Sequence, residues 1–274
     1  MSIDNNGPLR LTEAAPGYVR VTIDNPPLNL LDPEMIKALR TLMDAFEADP
    51  NLRVVVFDSA DEDYFIAHFD VVRAHEVPND PGPTGLPAWP DIAYRLRRAP
   101  FISITELRGR ARGVGSEFVL ACDLRFASIE RAILCQPEVG CGLVPGGGGI
   151  EALTALTGRS RALEVIVGSD DYDAVLAEKY GWINRAIPDA DLSSFVDRLA
   201  RRIASFPPGA QALAKKLVNN RASVSDGSDL ADSLAEFYRT IEWPATRSRL
   251  ADLIAHGLQQ RGELENDLGS LLGS

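Results

Sequence analysis

Two glutamates beside glycine-rich segments are the residues of this chain best suited to acid–base chemistry. Glu117 ends the segment GRARGVGSE, and Glu138 lies just before the segment GCGLVPGGGG. An ionised carboxylate accepts a proton, and a buried carboxyl group beside another carboxylate has a raised pKa that lets it donate one. Taken singly, Glu117 is typical of a first-turn helix residue and Glu138 of a surface residue. A catalytic pair requires that the fold bring the two together.

The first glycine-rich segment lies between an apolar strand and an apolar helix, so it places backbone N–H groups at a helix start, where they are suited to binding an oxyanion. The segment lacks the Gly-Lys-Ser/Thr ending of a phosphate-binding loop and does not match Gly-x-Gly-x-x-Gly. Ser116 is followed by Glu117 and Phe118, so the Gly-x-Ser-x-Gly pattern of serine hydrolases is also missing. We therefore expect an oxyanion site.

The composition argues against two classes of partner. The chain has 274 residues, a formal net charge of −11 at pH 7 and 45% hydrophobic residues. Nucleic-acid binding depends on Lys and Arg contacts to phosphate, which this charge disfavours. No run approaches the roughly 18 consecutive apolar residues of a membrane helix, and neither a secretory signal nor an Arg-rich transit peptide is visible. We expect a cytoplasmic protein with no nucleic-acid or membrane partner.

Metal binding is also not indicated by the sequence. Cys122, Cys135 and Cys141 contain no Cys-x-x-Cys pair, and the three histidines have no His-x-x-x-His spacing. An odd number of cysteines in mostly apolar surroundings is typical of reduced thiols. We expect neither a metal site nor a disulfide.

The apolar pattern predicts an α/β region followed by a helical one. The segments GYVRVTID, PEMIKALRTLMDAF and RVVVFDS predict a strand, a helix and a strand, with Asp32 as the N-cap and Pro33 in the first turn. Further strands and helices follow to about Gly158, and the remainder is mainly helical. Residues 78–87, PNDPGPTGLP, predict a mobile loop. Repeated crossovers of this kind indicate an α/β fold with largely buried strands.

The order of these features resembles the enoyl-CoA hydratase/isomerase (crotonase) family over nearly all of the first 190 residues. The resemblance includes the glycine turn that ends in Glu117 and the Gln-Pro-Glu sequence that ends in Glu138. The segments that carry it are NPPLNLLDPEMIKAL, VVVFDSADEDYFIAHFDV, GRARGVGSEFVLACDLRFAS, AILCQPEVGCGLVPGGGG and AVLAEKYGWINRAIP.

The resemblance implies an architecture that periodicity alone does not give. The fold would be a crotonase-like spiral of β-β-α units with a helical C-terminal region. Residues 1–190 would form the core domain, and residues 191–274 a helical region involved in oligomer packing. Homotrimers or homohexamers are the assemblies that the resemblance implies.

The resemblance also implies a reaction, the syn addition of water to a 2-enoyl-CoA thioester. The backbone N–H groups of Phe69 and Val114 would form an oxyanion hole for the thioester oxygen. Glu117 would act as the base toward the water that attacks C3, and Glu138 would deliver a proton to C2. Coenzyme A would be part of the substrate, so no separate cofactor is expected.

Further residues are expected at the substrate site by the same resemblance, and two positions depart from the family. His68 and Val114 stand where the family has glycine, so a positive φ at either position would strain the backbone. His68 either contacts the substrate or fills the space over Asp70, and Arg112 either meets the substrate or forms an ion pair with an acidic residue. The expected substrate-binding residues are Ala67, His68, Asp70, Gly113 and Arg112.

Other activities would use the same site. An enoyl-CoA isomerase or an acyl-CoA hydrolase of this fold would keep the oxyanion hole and use a different proton route. A non-catalytic scaffold or an RNA-binding relative would keep only the fold. Both glutamates are present and the chain is acidic, and these two features favour an enzyme over a scaffold or an RNA-binding protein.

Overall fold

Two β-sheets and a series of helices make up the part of the chain that the computed structural model describes, residues 7–78, 80–222 and 227–273. The strands are β1 (Leu9–Ala15), β2 (Tyr18–Ile23), β3 (Val54–Ser59), β4 (Tyr64–Ile66), β5 (Ile102–Leu107), β6 (Arg110–Arg112), β7 (Leu124–Ser128), β8 (Ile133–Cys135), β9 (Tyr172–Asp173) and β10 (Arg185–Ile187).

Most helices lie in the second half of the chain. They are α1 (Pro33–Glu47), α2 (Ala88–Arg98), α3 (Val114–Ala121), α4 (Gly149–Thr157), α5 (Arg159–Gly168), α6 (Ala174–Tyr180), α7 (Asp189–Ala204), α8 (Pro208–Arg221), α9 (Ser228–Ile241), α10 (Pro244–Ala255), α11 (Glu263–Asn266) and α12 (Leu268–Leu272). The predicted start of α1 is confirmed, because Asp32 accepts a hydrogen bond from the Met35 N–H and Pro33 is the first helical residue.

From β3 to β8, successive strands alternate between the two sheets. The larger sheet has the order β1-β2-β3-β5-β7-β10 and is parallel except for the edge strand β1, whereas the smaller has the order β4-β6-β8-β9. The chain thus visits the larger sheet and then the smaller one in the pairs β3–β4, β5–β6 and β7–β8, and a helix follows each pair. The predicted α/β spiral of β-β-α units is confirmed.

The centre of the larger sheet is buried on both faces, as an all-apolar strand requires. Along β3, Val54 and Val56 pack in the cluster that contains Val196 of α7, whereas Val55 and Phe57 pack in the main core on the opposite face. This alternation follows from the two-residue period of a strand.

The helices after α7 reach back to the spiral. α9 packs against α2 and α4, so residues of the C-terminal region lie beside the centre of the same chain. The oligomer role predicted for residues 191–274 stays a prediction. No helix in the described part of the chain is long and apolar enough to cross a membrane.

A loop is confirmed between β4 and α2, although Asn79 lies outside the described residues. Thr84 anchors this loop, because its N–H and its hydroxyl both donate to Asp91 Oδ1, at 3.0 and 2.6 Å. Pro78 and Pro87, at the two ends of the predicted loop, line the cavity described below.

Candidate active site

An apolar cavity of about 340 Å³ lies between α1, the loop before α2, the start of α3 and α9. Glu117 and Glu138 both face it, and only 2% and 8% of their surfaces are exposed. The structure therefore brings the two sequence-predicted glutamates to one cavity. The wall around them is apolar and includes Leu31, Ile36, Trp89, Leu234 and Phe237.

Glu117 lies in the first turn of α3, and its carboxylate is held by the glycine-rich turn that opens α4. Its Oε1 accepts hydrogen bonds from the N–H groups of Gly147 and Gly149, at 2.8 and 3.0 Å. Burial raises the pKa of Glu117 to about 7, and the two backbone N–H groups keep it from rising further. Glu117 can therefore both hold and release a proton near neutral pH.

Glu138 follows β8 and precedes a short 3-10 helix, Val139–Cys141. Gln136 Nε2 lies 3.3 Å from its Oε2, and its Oε1 lies near Gly113, where an added Cβ would meet it at 3.0 Å. Burial, and then the charge of Glu117, raise the pKa of Glu138 well above its ordinary value. Glu138 is thus a neutral carboxylic acid when Glu117 is ionised, which is the protonation pattern of an acid–base pair.

Two charged residues behind the glycine turn act on Glu117 more weakly than burial does. Glu151 raises its pKa and Arg97 lowers it. Arg97 lies against the turn, because a Cβ added to Gly148 would be 3.3 Å from Arg97 Nη2. That nitrogen is buried and has no hydrogen-bond partner among the described residues. Its positive charge is therefore available to favour the ionised form of Glu117.

Phe69 and Val114 both line the cavity. Phe69 forms an isolated parallel bridge with Leu31, in which Leu31 N–H donates to His68 O and Asp70 N–H donates to Leu31 O. The N–H of Phe69 takes no part in that bridge. Val114 is the first residue of α3, where an N–H has no acceptor within the helix.

The backbone at the two departures from the family is unstrained. Among described residues other than glycine, positive φ occurs at Asn29, Ser169 and Gln259, so neither His68 nor Val114 has it. Gly113 carries the unusual conformation instead, with a φ of 52°. The side chains of His68 and Val114 are therefore accommodated without strain in the backbone.

None of the five other predicted substrate residues lines the large cavity. His68 and Gly113 line a smaller pocket beside Phe69, Val114 and Glu138. Ala67 is fully buried in a small cluster with Leu28 and Tyr64. The carboxylate of Asp70 accepts hydrogen bonds from the N–H groups of Val72 and Arg73, and only 5% of the surface of Asp70 is exposed. His68 bonds to Glu265, as described below, and Gly113 lies beside Glu138.

Arg112 is not brought to the cavity. Its side chain is fully buried, and Nε and Nη2 donate to the two oxygens of Asp171 at 2.7 and 2.6 Å. Burial acts to lower the pKa of Arg112, but hydrogen bonding to Asp171 raises it overall. Of the two roles left open by the sequence, the geometry supports the ion pair and leaves no donor facing the acyl site.

The site also contains several residues that were not predicted from the sequence. Trp89 packs on Phe118 and donates from Nε1 to Gly147 O at 3.2 Å, which fixes the turn that holds Glu117. Gln136 lies two residues before Glu138 in the Gln-Pro-Glu sequence, which was a usable signal. The contribution of α9 had no local signal, because Leu234 and Phe237 are typical residues of any amphipathic helix.

A metal centre is not indicated, since no group of three or more His, Cys, Asp or Glu side chains within the described ranges could hold a metal ion. The cysteines Cys122, Cys135 and Cys141 are free and buried. Burial raises the pKa of Cys141, the one that lies after Glu138, to about 12.

Comparisons with known proteins identify the family of this chain. A family model described as enoyl-CoA hydratase/isomerase matches residues 13–247. The short-chain-enoyl-CoA hydratase of Clostridium acetobutylicum is 30% identical over 200 residues, which cover 73% of this chain and 76% of that protein. The mitochondrial enoyl-CoA hydratase of Pongo abelii is 29% identical over 232 residues, covering 83% of this chain and 76% of that protein.

A crystal structure from Streptomyces avermitilis, described as a "putative enoyl-CoA hydratase", is similar over nearly the whole chain. It is 41% identical, has a TM-score of 0.92, and the match covers 97% of this chain and 96% of that one. The similarity therefore extends into the C-terminal helices.

Proposed function

Because this chain belongs to the enoyl-CoA hydratase/isomerase family, we propose that it adds water to the double bond of a 2-enoyl-CoA thioester. The single observation that carries the proposal is the burial of Glu117 and Glu138 in one apolar cavity with raised pKa values. Coenzyme A enters as part of the substrate, and the reaction needs no further cofactor.

Glu117 is the base in this mechanism. It removes a proton from water as the oxygen attacks C3, and the two N–H groups of Gly147 and Gly149 hold its carboxylate in place. General base catalysis of this kind typically contributes about 10²- to 10⁴-fold. Glu138 gives its proton to C2 and regains one from Glu117, so that the net addition is one water molecule.

The N–H groups of Phe69 and Val114 bind the thioester oxygen. Negative charge builds on that oxygen as C3 is attacked and an enolate forms. Loss of one such donor costs on the order of 3 kcal/mol of transition-state stabilisation. The water held between the two carboxylates supplies the hydroxyl group, and Glu138 supplies the proton to the same face of the double bond, so the addition is syn.

The acyl group is apolar, because the cavity wall next to the carboxylates consists of side chains such as Leu31, Ile36 and Trp89. An acyl chain with a charged end would lose its hydration there without a partner. The proposed assembly is a homotrimer or homohexamer, and the proposed compartment is the cytoplasm. Mass measurement of the purified protein in solution tests the first of these.

Incubation with 2-enoyl-CoA substrates of several chain lengths tests the activity. Hydration removes the ultraviolet absorbance of the conjugated thioester and yields a 3-hydroxyacyl-CoA, whereas isomerisation conserves mass and hydrolysis releases free thiol. The Glu138→Gln variant should lose turnover but still bind the thioester, and Glu164→Gln, an exposed glutamate on α5, is its control. If no chain length is hydrated by the native protein, the proposal is wrong.

A further inference from the structure

The side chain of His68 bridges the loop of Phe69 to the C-terminal part of the chain. Its Nδ1 lies 2.8 Å from Phe69 O and its Nε2 lies 2.8 Å from Glu265 Oε1. A carbonyl oxygen and an ionised carboxylate can only accept hydrogen bonds, so both ring nitrogens must donate. With Glu265 ionised, His68 is therefore an imidazolium, and the two residues form a buried ion pair.

The electrostatics agree with that protonation state. Burial alone would lower the pKa of His68, but the charge of Glu265 and the hydrogen bond to it raise the pKa overall. Burial opposes ionisation of Glu265 as well, yet His68 and the backbone N–H of Gln259 lower its pKa. Buried ion pairs of this kind are poor sources of stability and are better understood through what they hold in place.

Gln259 holds the other side of the same loop. Its Nε2 donates to Asp70 Oδ1 at 2.7 Å, and its Oε1 accepts from the N–H of Val71 at 3.1 Å. Its own N–H donates to Glu265 Oε1 at 2.6 Å, which connects it to the ion pair. The residues before and after Phe69 are thus bonded to the segment 259–266, here called the C-terminal clasp.

The C-terminal clasp also holds the segment of the second N–H donor. Arg112, two residues before Val114, donates from Nη1 to Glu265 O at 2.5 Å and from Nη2 to Asn266 O at 3.1 Å. Asp171 also holds the side chain of Arg112, and Arg112 therefore anchors the clasp to β6. One short segment therefore connects the strand that leads to Val114 with the loop that contains Phe69.

We propose that His68 and Glu265 are positioning residues, and that their ion pair sets the Phe69 N–H at the correct distance from the Val114 N–H. Neither side chain is required to touch the substrate. The inference rests on the proposed function in one respect, since it takes these two N–H groups as the donors to the thioester oxygen. The clasp would complete the oxyanion hole from about 190 residues further along the chain.

The test uses the full-length protein with the Glu265→Gln and His68→Gln variants, and Arg247→Gln as the control. Arg247 is an exposed residue of α10 that pairs with the exposed Glu242, outside the C-terminal clasp. Full loss of one oxyanion donor costs about 10²- to 10³-fold in kcat. Displacement of the donor should therefore lower kcat by about 10- to 100-fold, with KM changed less than about twofold, whereas Arg247→Gln should keep the native kcat.

A spectroscopic measurement separates this role from general stability. Butanoyl-CoA labelled with ¹³C at the carbonyl cannot be hydrated, so its C=O stretch reports only on the donors when it is bound. The stretch should fall in frequency on binding to the native protein and to Arg247→Gln. It should return most of the way to the free value in Glu265→Gln and His68→Gln.

The outcomes distinguish this inference from the proposed function. If the native protein shifts the carbonyl stretch and Glu265→Gln abolishes the shift, the positioning role of the ion pair is supported even if no hydration is found. If both variants keep the native kcat and the native shift, the inference is overturned, whatever happens to their melting temperatures. Should Glu265→Gln fail to fold, His68→Gln decides alone, because it leaves Glu265 bonded to the Gln259 N–H.

Discussion

Gly147 donates its N–H to Glu117 Oε1 at 2.8 Å, and the space beside its Cα is occupied by the other oxygen of the same carboxylate. A Cβ at this position would overlap both Glu117 Oε2 and Trp89 Nε1. The glycine-rich turn is therefore required by close approach, since any side chain here would displace the proposed base.

Gly147→Ala should reduce hydration severely. A methyl group would push the Glu117 carboxylate from its two N–H donors, and misplacement of a catalytic group by about 1 Å can cost roughly 100-fold in rate. Turnover of a 2-enoyl-CoA measures the displacement of Glu117, and tryptophan fluorescence measures the displacement of the Trp89 ring. Gly168→Ala is the control, because nothing lies within 4 Å of a Cβ there. Native turnover in Gly147→Ala would disprove the requirement.

The rate of hydration should depend on pH as a bell-shaped curve. Glu117 has a pKa raised to about 7 and acts in its ionised form, so the rate should fall as the pH drops below about 7. Burial and the charge of Glu117 raise the pKa of Glu138 well above its ordinary value, and this residue acts in its neutral form, so the rate should fall again once it ionises. The two apparent pKa values of the curve belong to the interacting pair Glu117 and Glu138, and not to either residue alone. A flat kcat/KM profile from about pH 5 to pH 9 would contradict these roles.

Glu117→Gln should be inactive and yet more stable than the native protein at pH 8. Burial raises the pKa of Glu117 from 4.5 to about 7, so the folded state holds the proton more tightly than the unfolded state does between these values. Stability therefore falls as the pH rises through this window, by up to about 3 kcal/mol. A glutamine does not ionise, so it avoids this loss of stability. Its side-chain oxygen can still accept hydrogen bonds from the N–H groups of Gly147 and Gly149. Urea unfolding at pH 8 should show the gain.

At pH 4 the same comparison should show little difference, because the carboxyl group is then protonated in the folded protein and largely so in the unfolded one. An equal gain at both pH values would point to packing and not to ionisation.

Arg97→Met should move the acidic limb of the rate profile to higher pH. The charge of Arg97 favours ionisation of Glu117, so its removal should raise the pKa of the base by on the order of one pH unit. The profile of kcat/KM against pH measures the shift. Arg98→Met is the control, since the exposed Arg98 lies over the ring of Tyr94. An unchanged limb in Arg97→Met would show that this charge does not act on Glu117.

Long apolar patterns made the fold predictable, whereas short strands did not. β3 contains three consecutive valines, and α1 has both its N-cap and its first-turn proline, so each is visible locally. β4 and β6 have three residues each and are too short for any period to be recognised. The start of α4 lies within a run of glycines, which ordinarily disfavour helix, and tertiary contacts decide the outcome there.

The site shows the same division between local and distant information. Glu117 and Glu138 were found because their neighbouring motifs resemble a family, and the cavity does contain them both. The sequence allowed an ion pair for Arg112 but could not identify Asp171, 59 positions away, as its partner. The partners of His68 are equally distant, since Glu265 is 197 positions further on.

These distances set an order of events during synthesis on the ribosome. The chain up to the 3-10 helix Val139–Cys141 contains both glutamates, but its pocket lacks the wall that Leu234 and Phe237 supply. The loop of Phe69 must then wait for Glu265 to emerge before its last contacts can form. Contacts of such high sequence separation form late and slowly. A nascent chain of this protein would therefore be largely folded while still unable to catalyse anything, and activity would appear only with the final few dozen residues.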